Sequence, residues 1–145
     1  MKLTIFSDGA TRGNPGPSSS AAILRSKSGE IVATVAEFLG ESTNNRAEYL
    51  AVFAGIRRAR ELRATEVELF LDSKLAVEQI TGRWKIKNPE LKILAGKIAV
   101  ELANFEKWSI THIPREKNRD ADAAANKILD ERGHRKSTFF HGNFH

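Results

Sequence analysis

The sequence predicts one α/β domain in which a mixed sheet carries helices on its faces. Three observations lead there. Three β-rich runs come first with short connections, helical periodicity then alternates with two further strand runs, and 145 residues with 41% hydrophobic content supply a continuous core without cross-links.

The first run, Lys2-Leu3-Thr4-Ile5-Phe6-Ser7, stops at Asp8-Gly9, ahead of the turn-forming stretch Arg12-Gly13-Asn14-Pro15-Gly16-Pro17. Strands over residues 20–25 and 30–39 follow, with Lys27-Ser28-Gly29 between them at hairpin length, so the first three strands form an antiparallel meander. From 44 to 63 the pattern is helical, because Ala47, Leu50, Ala51 and Ala54 recur three and four residues apart. Residues 66–71 read as a strand leading through Asp72-Ser73 into a short helix at 74–80. A second helix runs from 89 to 103 with Pro89 in its first turn, and residues 108–113 form the last strand. Asn118 opens an Ala-rich helix that Gly133 is placed to end. Residues 1–133 are therefore the domain, and residues 134–145 a basic, then aromatic, C-terminal tail.

Charge and composition narrow the function. The 23 Lys+Arg against 18 Asp+Glu give a net charge of +5 and a pI near 9.7, which suits a polyanionic partner. The absence of cysteine excludes disulfides and thiolate metal sites and is compatible with a reducing cytoplasm. Asp8 interrupts the apolar opening, so no signal peptide is expected, and no apolar run approaches the roughly 20 residues that cross a bilayer. The expectation is a cytoplasmic monomer.

Four acids, Asp8, Glu48, Asp72 and Asp122, each admit an ordinary explanation. Asp8-Gly9 could be a turn, Glu48 could close a capping box with Asn45, Asp72 could cap the helix that follows, and Asp122 could be a solvated helix residue. Their shared placement argues otherwise. Asp8 and Asp72 fall at or just past the C-terminal ends of strands, where α/β sheets hold ligands. Glu48 lies about 60° around the helix from Ala51, on the margin of the apolar stripe. Asp122, with Asp120 as a nearby competitor, lies on the helix after the last strand and can close the same group. Carboxylates gathered this way repel one another unless a cation neutralises them, and an oxygen-only set suits Mg²⁺ or Mn²⁺. Two such ions about 4 Å apart suit in-line attack of water on a phosphodiester.

The local strings Ser7-Asp8-Gly9-Ala10 with Gly13-Asn14-Pro15-Gly16-Pro17, then Asn44-Asn45-Arg46-Ala47-Glu48, Leu71-Asp72-Ser73, and Arg115-Glu116-Lys117-Asn118 before Ala121-Asp122 carry a resemblance. In order and spacing the chain resembles type 1 ribonuclease H from about Leu3 to Leu129. The resemblance implies a ribonuclease H-like, five-stranded sheet of order 3-2-1-4-5. It also implies endonucleolytic hydrolysis of the RNA strand of RNA/DNA hybrids, leaving 5′-phosphate and 3′-hydroxyl ends, with Asp8, Glu48, Asp72 and Asp122 as metal-binding catalytic carboxylates. Gly13 and Asn14, with Asn44 and Asn45, are then expected along the minor groove of the hybrid, where amides meet 2′-hydroxyls and base edges without demanding a sequence. Thr43 is expected at a phosphate, and Ser73 beside the substrate. The alternative for these loops is plain turn and capping chemistry.

The chain also departs from the family pattern. Members with a long basic protrusion carry it after the third carboxylate, and here it is compressed to Arg83-Trp84-Lys85-Ile86-Lys87. Between Gly82 and Lys97 there are five basic residues against one acid, so Trp84 and Lys85 are expected along the DNA backbone, unless Trp84 caps the core and the loop is merely solvated. The histidine that familiar members place in the loop before the last carboxylate is missing. Arg115 stands there and could orient a carboxylate or offset phosphate charge, while His112, His141 and His145 are accessory candidates only. These departures leave open a rival class, a non-catalytic module binding hybrid or double-stranded RNA.

Overall fold

In the computed structural model residues 1–142 are described, with side chains through Gly133. Five strands, β1 (Lys2–Thr11), β2 (Gly16–Arg25), β3 (Ile31–Ser42), β4 (Glu66–Leu71) and β5 (Lys107–His112), form one sheet of order β3-β2-β1-β4-β5. The first three pair antiparallel, whereas β4 and β5 run parallel to β1, as the meander and the later alternation require. Helices α1 (Asn44–Glu61), α2 (Lys74–Ile80), α3 (Pro89–Leu102) and α4 (Arg119–Gly142) complete the chain, with a 3-10 turn at Arg115–Lys117.

Strand alternation decides which side chains are buried where. Leu3 and Ile5 of β1 and Val67, Leu69 and Leu71 of β4 share one core with Tyr49, Val52 and Ile56 of α1 and Ile98 of α3. Each large side chain removed from water there contributes about 1.5–3 kcal/mol. On the other side of the sheet, Phe6 stacks on Phe70 with ring centroids 5.0 Å apart, and Ala121, Ala125 and Leu129 of α4 are buried.

Several boundaries differ from expectation: β2 begins at Gly16 rather than at residue 20 and β3 runs to Ser42 rather than to residue 39, because the two strands pair from Gly16↔Ser42 onward. β1 does not stop at Asp8: its parallel pairing with β4 ends at Ser7↔Leu71, but its antiparallel pairing with β2 continues to Thr11↔Ser18. Asp8 thus lies just beyond the β4 edge while still held by β2. Nor does Gly133 end the last helix, which runs on to Gly142. Gly133 is not among the glycines that adopt positive φ, so the left-handed cap never forms, and a helical glycine costs only about 1 kcal/mol. No helix of the described residues is long and apolar enough to cross a membrane.

Candidate active site

Oxygen atoms of Asp8, Glu48 and Asp72 all lie within 4.8 Å of one another. β1 delivers Asp8, the first turns of α1 deliver Glu48, and Asp72 follows the last residue of β4. Gly9 makes this convergence possible. A Cβ there would sit 2.5 Å from the Ala47 carbonyl carbon and 2.6 Å from the Glu48 nitrogen, so only glycine lets α1 lie this close to β1. Its N–H donates to Glu48 Oε1 at 2.5 Å.

The structural alternatives for these acids are not taken. Thr43 caps α1 by accepting from the Arg46 N–H, so neither Asn45 nor Glu48 performs that task. Ser73 caps α2 by accepting from the Ala76 N–H, which frees Asp72. Asp72 Oδ2 instead accepts from Asn118 Nδ2 at 2.9 Å, and the same amide nitrogen donates to the Ser7 carbonyl oxygen at 2.9 Å. Asn118 is 1% exposed; the sequence marks it as a helix opener and as part of the Arg115-Glu116-Lys117-Asn118 string, but not as the partner of Asp72.

Burial is the largest cause that raises the Asp8 carboxyl, to about 10, followed by the charges of Glu48 and Asp72. Burial likewise raises Glu48, to about 7, against the lowering effect of hydrogen bonds from Asp8 and the Gly9 N–H. Burial and mutual repulsion thus favour protons on Asp8 and, to a lesser degree, on Glu48, unless a cation takes their place. A trio of hard oxygen donors of this size and charge fits a divalent metal ion.

Asp122 stands to one side of the trio. It lies close enough to Asp8 to raise its pKa further, and its Oδ1 is 3.8 Å from an Arg115 nitrogen. Arg115 is 80% exposed in its side chain and its charge lowers Glu48, so it reaches the site from the rim. The competitor Asp120 is engaged by Arg25.

The expected binding residues fall into two groups. Asn14 Oδ1 accepts from the Asn44 N–H at 3.1 Å, which joins the Gly13-Asn14 loop to Thr43, Asn44 and Asn45 at the start of α1. Trp84 and Lys85 lie in the loop between α2 and α3. Trp84 is 45% exposed with Lys74 Nζ 5.9 Å from its ring, so it does not cap the core, and Ile86 packs there instead. His112 is exposed at the end of β5, paired with Leu71 of β4. The side chain of His141 and the whole of His145 lie outside the described residues.

Residues 6–128 match the family model described as reverse transcriptase-like. A ribonuclease HI of Halobacterium salinarum is 42% identical over 90% of this chain and 65% of its own length. The chain belongs to the type 1 ribonuclease H family. A crystal structure of RNase H1 from the same halophile superimposes with a TM-score of 0.88 at 40% identity, covering 90% of this chain and 99% of that one. A ribonuclease H1 isolated from compost, crystallised in complex with an RNA/DNA hybrid, gives a TM-score of 0.84 at 34% identity, over 89% of this chain and 97% of that one. The chain spans 65% of the length of the halobacterial relative, and 36% of that of mycobacterial relatives including a protein described as bifunctional. These TM-scores show that the present chain shares its fold with the two ribonuclease H structures.

Proposed function

We propose that this chain is a metal-dependent endoribonuclease that hydrolyses the RNA strand of RNA/DNA hybrids, leaving 5′-phosphate and 3′-hydroxyl ends. The observation that carries the reading is the convergence of Asp8, Glu48 and Asp72 within 4.8 Å on three separate elements. The hybrid complex of the compost ribonuclease H1 supports the substrate class. Residues 1–133 constitute the catalytic unit in this reading, acting as a cytoplasmic monomer.

The trio, with Asp122 beside it, would hold Mg²⁺, or Mn²⁺ in its place, as two ions when substrate is present. Held by Asp8, Glu48, Asp72 and Asp122, such ions would supply Lewis-acid stabilisation of charge on the water oxygen and on the 3′ oxygen. The chain's own groups do the positioning. The Gly9 N–H fixes Glu48, Asn118 fixes Asp72, and Arg115 offers a guanidinium at the rim where phosphate charge builds up. Gly13, Asn14, Asn44 and Asn45 present amides and backbone along one edge suited to a minor groove, with Thr43 at a phosphate and Ser73 near the scissile strand. Trp84 and Lys85 lie along the DNA backbone, one by its ring and one by its charge. No step is assigned to His112, whose ring is exposed on β5.

Labelled RNA/DNA, RNA/RNA and DNA/DNA duplexes incubated with Mg²⁺, Mn²⁺ or a chelator test this. Internal cuts in the RNA of the hybrid, dependent on metal, are expected, and double-stranded RNA is the second substrate to score. Intact hybrids under both metals would defeat the proposal and favour a binding module.

A further inference from the structure

Asp122 lies outside the trio, so its carboxylate needs a separate hold to stay beside Asp8. Asn126, one turn further along α4, makes two contacts with it. Its Nδ2 donates to the Asp122 carbonyl oxygen at 2.9 Å and to Asp122 Oδ1 at 3.2 Å. The other end of the amide is also engaged, because an Arg12 guanidinium nitrogen donates to Asn126 Oδ1 at 3.2 Å and to Asp130 Oδ1 at 2.8 Å. This leaves the amide one orientation. Reversed, it would set an NH₂ against the guanidinium and an oxygen against the carboxylate. Arg12 directly precedes Gly13 and Asn14, and Asn14 is in turn hydrogen-bonded to the start of α1.

We propose that Asn126 is a positioning residue for Asp122, and that Arg12 couples it to the Gly13-Asn14 loop. A duplex seated on that loop restrains Arg12, Arg12 holds the Asn126 amide, and the amide holds the Asp122 carboxylate in one orientation. This rests on the hybrid-cleaving reading above. A purely structural role predicts something different: the Arg12 and Asp130 side chains are 47% and 70% exposed, and pairs so exposed contribute little to stability. Loss of the network therefore shows in turnover rather than in melting.

Asn126→Ala, Asn126→Asp, Arg12→Ala and the Arg12→Ala/Asn126→Ala pair are compared with wild type. The readouts are kcat and KM on a labelled hybrid, Mn²⁺ binding by calorimetry without substrate, and Tm. Asn126→Ala is expected to lose about tenfold or more in kcat and to bind Mn²⁺ measurably more weakly, with KM within about twofold and little change in Tm. Asn126→Asp keeps an acceptor for Arg12 but no donor for Asp122, and should behave like Asn126→Ala. Arg12→Ala should lose less, and the double variant no more than Asn126→Ala alone. Wild-type kcat and Mn²⁺ affinity in either Asn126 variant, losses in the double variant that multiply, or a kcat loss matched by collapse of Tm would overturn the inference. If wild type itself cuts no hybrid, the proposed function falls, and the inference is decided by the Mn²⁺ affinities alone.

Discussion

Asn118 and Asp72, 46 positions apart in the chain, meet through a 2.9 Å hydrogen bond in which the buried amide donates to the carboxylate. Because the same nitrogen also holds the Ser7 carbonyl oxygen, Asn118 fixes the acid that follows β4 relative to the strand that carries Asp8. A small polar residue at the mouth of α4 thereby sets the spacing between two of the three carboxylates.

Replacing that amide should harm both stability and turnover. Asn118→Ala leaves the Ser7 oxygen without its donor and Asp72 free to turn, at a cost of about 1–3 kcal/mol and about 10–100-fold in kcat. Asn118→Asp sets a second carboxylate against Asp72 and should be worse on both counts. Melting curves and hybrid cleavage measured on the same preparations check this, and a variant with unchanged kcat would remove Asn118 from the site.

The raised carboxyls make a second prediction. Unfolded, Asp8 and Glu48 release their protons near 3.8 and 4.5, whereas the folded chain keeps them to about 10 and about 7. Between these limits the unfolded state binds fewer protons, so metal-free stability falls as pH rises, first through the Glu48 window and further through that of Asp8. Divalent cations should reverse the loss at neutral pH. Asp8→Asn should stabilise the metal-free protein at pH 7 by roughly 1–3 kcal/mol, the scale on which buried like charges act, while abolishing cleavage. Thermal melts from pH 4 to 9 with chelator and with Mg²⁺ measure this, and a metal-free Tm that climbs across that range would contradict the assignment.

The loop carrying Trp84 and Lys85 is exposed and basic, which suits uniform contact with a backbone rather than a role in the chemistry. Trp84→Ala/Lys85→Ala should raise KM for the hybrid several-fold at physiological salt, leave kcat within about twofold, and flatten the dependence of binding on salt. Steady-state kinetics at two or three salt concentrations decide it. A fall in kcat with KM unchanged would place the loop's effect at the reaction centre instead.

The periodicity of the chain made the sheet meander and all four helices legible, because alternation and 3.6-residue spacing are local signals. The three clustered acids were legible for a related reason, since Asp72 follows a strand, Asp8 sits where the pairing of β1 with β4 ends, and Glu48 borders an apolar stripe. What escaped depends on contacts between distant segments. β1 runs past Asp8 because β2 pairs with residues up to Thr11, a fact settled by the partner strand rather than by Asp8-Gly9 itself. The caps fell to Thr43 and Ser73 instead of the neighbouring Asn45 and Asp72, because any of these side chains can cap and packing chooses among them. Gly133 looked like a stop only because glycine permits one. Asn118 and Asn126 gave no local sign of their partners at Ser7 and Arg12, more than a hundred positions away.

Asp72 offers the most direct test of the account, since its carboxylate caps no helix and is held by Asn118 beside Asp8 and Glu48. Hybrid cleavage by Asp72→Asn is compared with wild type under Mg²⁺, alongside hybrid binding by the same two proteins. Cleavage by Asp72→Asn is expected to fall by about a thousandfold or more while binding is retained, because the lost interaction belongs to the transition state. Cleavage at the wild-type rate by Asp72→Asn would contradict the account.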